Sequence, residues 1–178
     1  MENYSLRKLT LSDFNKMKTN DENKYELIDG IVLMSPRPNM KHQEVMSNLH
    51  YELRNLLKGK HCKVFTEVEL EYNDNVLIPD ISIICGLENT NIQRYKKAPE
   101  IVIEILSPSS RYTDTFTKLY KYELLGVKEY WIVNPDTEII TIYNFEYKTN
   151  NEYLKSTKLI SIVFNELEIN LQDIFNKL

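Results

Sequence analysis

A chain of 178 residues with 42% apolar side chains is long enough to bury one core, and its formal net charge of −4 withholds the basic surface that a general nucleic-acid coat protein needs. Its two cysteines, Cys62 and Cys85, have no zinc-like spacing, so they support neither a disulfide framework nor a metal knuckle and read as buried thiols. Residues 1–10 carry scattered charges, and no stretch nears the ~18 apolar residues of a membrane span; a soluble, cytoplasmic protein with one domain over 1–178 is expected.

Residues 9–18 place Leu11, Phe14 and Met17 at helical spacing behind Thr10 or Ser12 as a cap, which predicts a short helix. Two apolar runs, 25–28 and 31–34, flank Asp29-Gly30, a strong two-residue hairpin signal. Pro36 and Pro38 then end the ladder, because proline donates no backbone hydrogen bond. Over 41–57, Val45, Leu49, Leu53, Leu56 and Leu57 recur at helical spacing, and Lys58-Gly59-Lys60 supplies a basic last turn and a stop. Residues 63–72 alternate Val64, Thr66, Val68, Leu70 and Tyr72 with Lys63, Phe65, Glu67, Glu69 and Glu71, which predicts one half-exposed strand with an acidic outer face.

Residues 77–85 and 101–106 are apolar on both faces and are therefore predicted to be central strands. A helix follows over 114–125, with Asp114 as its cap, Phe116, Leu119, Tyr122 and Leu125 as its apolar positions and Gly126 as its stop. Residues 129–133 form another strand, ended by Asn134-Pro135-Asp136. Runs at 139–145, 153–159 and 162–164 predict peripheral antiparallel strands, and 171–175 a closing helical turn.

The chemistry sits in the two central runs, because each carries one acid in its middle, Asp80 and Glu104. A carboxylate taken out of water either costs several kcal/mol or gives up its charge, so a chain that keeps two pairs them with a cation. If the strands are neighbours, the two acids converge, and oxygen ligands on a rigid sheet suit Mg²⁺ or Mn²⁺. That donor set points to metal-dependent phosphodiester hydrolysis.

Several motifs in one order add a resemblance: Tyr25-Glu26-Leu27-Ile28-Asp29-Gly30, Met34-Ser35-Pro36, His42, Pro79-Asp80, Glu104-Ile105-Leu106-Ser107-Pro108-Ser109, Lys118 with Tyr122 and Gly126, and Glu129-Tyr130-Trp131-Ile132-Val133-Asn134-Pro135. Together they resemble the Uma-type family of putative restriction endonucleases, placed in the PD-(D/E)XK nuclease superfamily. The resemblance implies an α/β (α+β) restriction-endonuclease-like core, with a central mixed β-sheet flanked by helices, an N-terminal hairpin and C-terminal antiparallel strands. It also implies a divalent metal and a DNA phosphodiester substrate. The superfamily pattern sets a lysine two residues after the second acid, whereas Glu104 is followed by Ile105 and Leu106. Lys118, at the matching helix position in the related family, is the substitute that the resemblance implies, and Lys121, one turn on, is the second choice.

The remaining candidates each have two readings. Glu26 is either a third acid at the metal or a salt-bridge partner of Lys24 or Arg37. His42 either reaches the site from the start of its helix or caps it at the surface. Ser107 and Ser109 cap a turn or contact phosphate, Gln43 and Glu44 face solvent, and Tyr112 and Tyr120 offer rings for base stacking while Tyr122 belongs in the core. Two other functions compete with a nuclease: a catalytically silent metal- or nucleic-acid-binding module, and a metal-dependent hydrolase of small phosphorylated substrates. A homodimer is expected from the two-fold symmetry of duplex cutting.

Overall fold

The computed structural model describes residues 8–17, 23–108 and 110–175. Helix α1 (Leu11–Lys16) is capped by Thr10, whose side chain accepts from the Asp13 amide while the Asp13 carboxylate accepts from Thr10 in return. Its expected end, Lys18, lies outside the described residues. Strands β1 (Lys24–Ile28) and β2 (Ile31–Ser35) form the expected hairpin, with Asp29 (φ 52°) and Gly30 (φ 80°) both left-handed as a two-residue turn demands. Gly30 is required twice over, since an added Cβ would stand 2.6 Å from the Lys8 Cβ.

Helix α2 (Met40–Leu56) starts on Asn39, whose side chain accepts from the His42 amide, and it buries the face carrying His42, Val45, Leu49 and Leu53. The expected strand over 63–72 is two strands, β3 (Cys62–Thr66) and β4 (Glu69–Tyr72), because Glu67 turns left-handed at φ 51° and sends the chain into a second sheet. The run over 77–85 breaks in the same place. Strand β5 (Asn75–Leu77) pairs with β4, Ile78-Pro79-Asp80 crosses over, and β6 (Ile81–Cys85) pairs with β3, so Asp80 stands at a bend rather than in mid-strand. Pro79 explains the break, since it offers no N–H to a ladder.

Strands β7 (Arg94–Tyr95), β8 (Ile101–Ile105), β9 (Glu129–Asn134), β10 (Ile139–Asn144) and β11 (Thr149–Leu154) complete two sheets. Among the described residues one runs β2-β1-β5-β4-β7 and the other β11-β10-β9-β8-β6-β3, with β8 parallel to β9 and antiparallel to β6. The result is a mixed α+β fold with a central mixed sheet flanked by helices. A small hairpin, β12 (Lys158–Ile160) with β13 (Glu168–Asn170), precedes helix α4 (Leu171–Phe175); the run over 153–159 straddles β11 and β12, and 162–164 is irregular rather than a strand.

Alternation on β8 sorts the core. Ile101, Ile103 and Ile105 pack under α2 with Leu49, Leu53 and Trp131, whereas Val102 and Leu106 pack on the opposite face with Tyr122, Tyr130 and Ile132. Glu104 shares that second face. The helix expected to begin at Asp114 begins earlier: Thr113–Lys118 is a π-helical turn running into α3 (Leu119–Leu125), so Asp114 is inside the helix and buried rather than its cap. Gly126 closes α3 at φ 93°.

Cys62 and Cys85 are not free thiols. They face each other across β3 and β6 and are joined in a disulfide, a pairing created by strand register that their separation of 23 residues does not announce. No helix among the described residues is long and apolar enough to cross a membrane.

Candidate active site

The bend between the two sheets opens on a cleft of about 590 Å³ whose lining includes Lys24, His42, Glu67, Asp80, Glu104 and Lys118. Asp80, at the bend just before β6, and Glu104, on β8, reach it side by side because β6 and β8 are antiparallel neighbours. Pairing of β6 with β8 ends at Ile81 opposite Ile103, and the next amide, Ile105 N–H, donates to Asp80 Oδ2 at 2.8 Å. His42 Nε2 stands 3.2 Å from the same oxygen, so the start of α2 does bring His42 to the site. Oδ1 receives the ammonium of Lys24 at 3.1 Å. Burial by itself would raise the Asp80 pKa, but the His42 hydrogen bond, the Lys24 charge and the Ile105 amide outweigh it and hold the carboxyl well below its usual range.

Glu104 has the opposite balance. Its Oε1 accepts from Lys118 Nζ at 2.9 Å and from the Tyr122 hydroxyl at 2.7 Å. Lys118 is shared, because Glu26 Oε2 also lies at 2.9 Å and Asp114 Oδ1 at 3.4 Å. Three carboxylates around one buried ammonium leave an excess of negative charge. Burial, opposed by Lys118 and reinforced by Asp114, Asp80 and Glu26, pushes the Glu104 carboxyl up to about 8. Lys118 itself is driven well above the usual lysine range, since its three acids more than offset its burial.

Those shifts fix a pH prediction for the metal-free protein. A carboxyl raised from 4.5 to about 8 binds its proton more tightly when folded, so its contribution to stability is complete below about 4.5 and fades as pH rises toward 8. Burial raises Asp114 in the same direction, while lowered Asp80 makes its contribution above its ordinary value of 3.8 and loses it in acid. Stability from urea unfolding should therefore fall between pH 5 and pH 8 by up to about 1.4 kcal/mol per pH unit. Glu104→Gln should flatten that decline, and an unchanged slope in the variant would exclude Glu104 as its source.

The other candidates divide. Glu26 is buried on β1 with Oε1 accepting from Ile78 N–H at 2.7 Å; it pairs with Lys118 rather than with Lys24. Lys121 turns to Asp29 of the hairpin at 2.5 Å and is not among the cleft residues. Ser107 exchanges hydrogen bonds with Ser110 in the turn that precedes the helix, and Ser109 lies outside the described residues. Gln43 is exposed on the cleft rim, Glu44 is half-buried, and Tyr122 is in the core as expected. Leu106, standing where the superfamily lysine is missing, packs into the second core cluster.

Sequence reading passed over Lys24, Glu67 and Asp114 as cleft residues. Asp114 and Lys118 stand four apart on one helix, a spacing that signals a pair. Lys24 and Glu26 stand two apart on one strand and so share a face, whereas Glu67 enters the cleft only through its left-handed turn. Glu129 is a further buried acid, yet it accepts from Trp131 Nε1, Ser161 Oγ and the Ile162 and Val163 amides, so its oxygens are satisfied by neutral donors. The one cluster of three close His, Cys or carboxylate ligand atoms among the described residues, His61-Cys62-Cys85, holds its two sulfurs in the disulfide.

Comparison with known proteins bears on the fold and the family. An uncharacterized protein of Synechocystis sp., slr1290, is 22% identical over 142 residues, 77% of this chain and 74% of that protein. The crystal structure of a protein from Anabaena variabilis ATCC 29413, described as a "putative nuclease belonging to DUF820", superposes with a TM-score of 0.82 at 23% identity and covers 94% of this chain and 97% of that one. At that identity the likeness establishes the fold. The Uma2 family model, described as "Putative restriction endonuclease", matches residues 11–172, and with nearly the whole described chain inside that match, the protein belongs to the Uma2 family.

Proposed function

We propose that the cleft hydrolyses DNA phosphodiester bonds with a divalent metal, Mg²⁺ or Mn²⁺, held by Asp80 and Glu104. The observation that carries the reading is the pair of buried carboxylates that the bend before β6 and the neighbouring strand β8 bring to one cleft, with Asp80 Oδ1 turned to a cation while Oδ2 is held by a backbone amide and His42. A donor set of carboxylate oxygens on a rigid sheet fits a hard cation. Bound there, such an ion would polarise the phosphoryl group and lower the pKa of a water molecule.

The chain's own residues keep the acids in position. Ile105 N–H and His42 hold Asp80, and the Tyr122 hydroxyl and Lys118 hold Glu104. Glu26 is fixed by the Ile78 amide on one oxygen and by Lys118 on the other, so it anchors Lys118 rather than facing open cleft. Lys118 serves the reaction by keeping the acids assembled against their mutual repulsion. Cutting both strands of a duplex calls for two such sites, which a homodimer supplies.

Purified protein incubated with plasmid and with single-stranded DNA is expected to cleave in Mg²⁺ or Mn²⁺, to be silent with chelator, and to be much slower in Ca²⁺, whose looser coordination positions water poorly. With a net charge of −4, DNA binding should be weak and should fall only modestly with salt. Metal binding without cleavage of any nucleic acid would overturn the enzyme reading in favour of a silent binding module. Turnover of simple phosphodiesters in preference to DNA would make it a small-substrate hydrolase.

A further inference from the structure

We propose that Lys24 is the ammonium that contacts the scissile phosphate, and that in the metal-free protein it occupies the cation position at Asp80. The inference rests on the nuclease reading above and assigns a residue that neither the superfamily's sequence pattern nor the helix-borne Lys118 supplies.

Two lysines approach the acids, and their surroundings differ. Lys118 Nζ has carboxylate oxygens at 2.9, 2.9 and 3.4 Å, and its side chain is 4% exposed. Glu104 and Glu26 hydrogen-bond this ammonium, Asp114 adds an ion pair without a hydrogen bond, and burial among the three acids leaves little of it open to a phosphate. Lys24 is engaged far less. Among the described residues its Nζ has Asp80 Oδ1 at 3.1 Å and Glu67 Oε1 at 3.9 Å, beyond hydrogen-bond reach, and its side chain is 20% exposed on the cleft wall.

The position of Lys24 follows from the fold. It opens β1 two residues before Glu26, so strand alternation turns both side chains toward the acids, with Lys24 at the open end and Glu26 at the closed one. Burial lowers its pKa, but Asp80 and Glu104 more than compensate, which keeps it charged at neutral pH. With Ile105 N–H and His42 on Asp80 Oδ2, the oxygen that Asp80 would offer a metal most readily is the one that Lys24 now covers. The cation that leaves is on a four-carbon arm rooted at the cleft rim, where a phosphate bound to the metal would lie within its reach.

This exchange makes Lys24 both a competitor of the metal and a contact of the substrate, and the two roles are separable by measurement. Mn²⁺ titration calorimetry, salt-dependent binding of a duplex oligonucleotide in Ca²⁺, and cleavage in Mn²⁺ would be compared for wild type, Lys24→Met, Lys24→Arg and the distant charge control Lys128→Met. Lys24→Met should bind Mn²⁺ about 3- to 10-fold more tightly, since its competing cation is gone. Its slope of DNA affinity against salt should shrink by about one, and its kcat should fall about 10²-fold with KM less affected. Lys24→Arg should recover part of the turnover, and Lys128→Met should match wild type. Unchanged Mn²⁺ affinity in Lys24→Met, or turnover within about two-fold of wild type, would overturn the assignment while leaving the nuclease reading intact. A wild-type protein that cleaves nothing in any metal would overturn both.

Discussion

Asp80→Asn should abolish Mn²⁺ binding measurable by calorimetry and reduce DNA cleavage about 10³-fold or more, while the protein stays folded. Asparagine keeps the size of the side chain and one oxygen for the Ile105 amide, so the bend between the sheets survives. What disappears is the charge, and a hard divalent ion gains little from a neutral amide in place of a carboxylate. The cost to the fold is small because the lysine left behind, Lys24, is partly exposed and can turn to water. Circular dichroism and thermal melting establish the fold before the metal titration is read. By linkage, the rise in melting temperature that Mn²⁺ gives the wild type should vanish in the variant. Mn²⁺ affinity equal to wild type in a folded Asp80→Asn protein would rule the site out.

Lys118→Met should have its largest effect on stability. The substitution leaves Glu26, Glu104 and Asp114 buried together with no cation among them, and breaking a buried ion pair from one side costs about 3 to 5 kcal/mol. Part of that loss is repulsion, so removing one of the acids should restore stability. The double variant Lys118→Met with Glu104→Gln is expected to be more stable than Lys118→Met alone, with a urea midpoint closer to wild type. If Lys118→Met unfolds at the wild-type midpoint, the ammonium is not what assembles the acids. The contrast with Lys24→Met is the useful one: that change removes a partly exposed ammonium, should lower the urea midpoint less than Lys118→Met does, and should act chiefly on metal and substrate.

The chain by itself determined a good deal of this. Local signals with a stereochemical cause came through: the Asp29-Gly30 turn requires left-handed backbone at both residues, Thr10 caps α1, Gly126 ends α3, and the helical spacing from Val45 to Leu53 faces the core. Asp80 and Glu104 were legible for another reason. An acid inside a run of isoleucine and valine is costly wherever the run goes, so its presence signals a partner before the partner is known. Lys118, which the family resemblance implied as the substitute lysine, stands against Glu104.

Tertiary structure decided whatever depends on which segments meet. Alternation over 63–72 and apolarity over 77–85 are blind to a chain that changes sheets, and the left-handed Glu67 and the crossing at Pro79 convert two expected strands into four and set Asp80 at a bend. Register alone placed Cys62 opposite Cys85, and the π-helical turn drew Asp114 inward as a third acid on Lys118. The division of labour between Lys118 and Lys24 was out of reach of sequence for the same reason. Both are lysines near an apolar run, and how many carboxylates surround each ammonium depends on contacts between residues as far apart as Lys24 and Asp80, which exist only when the sheets have packed.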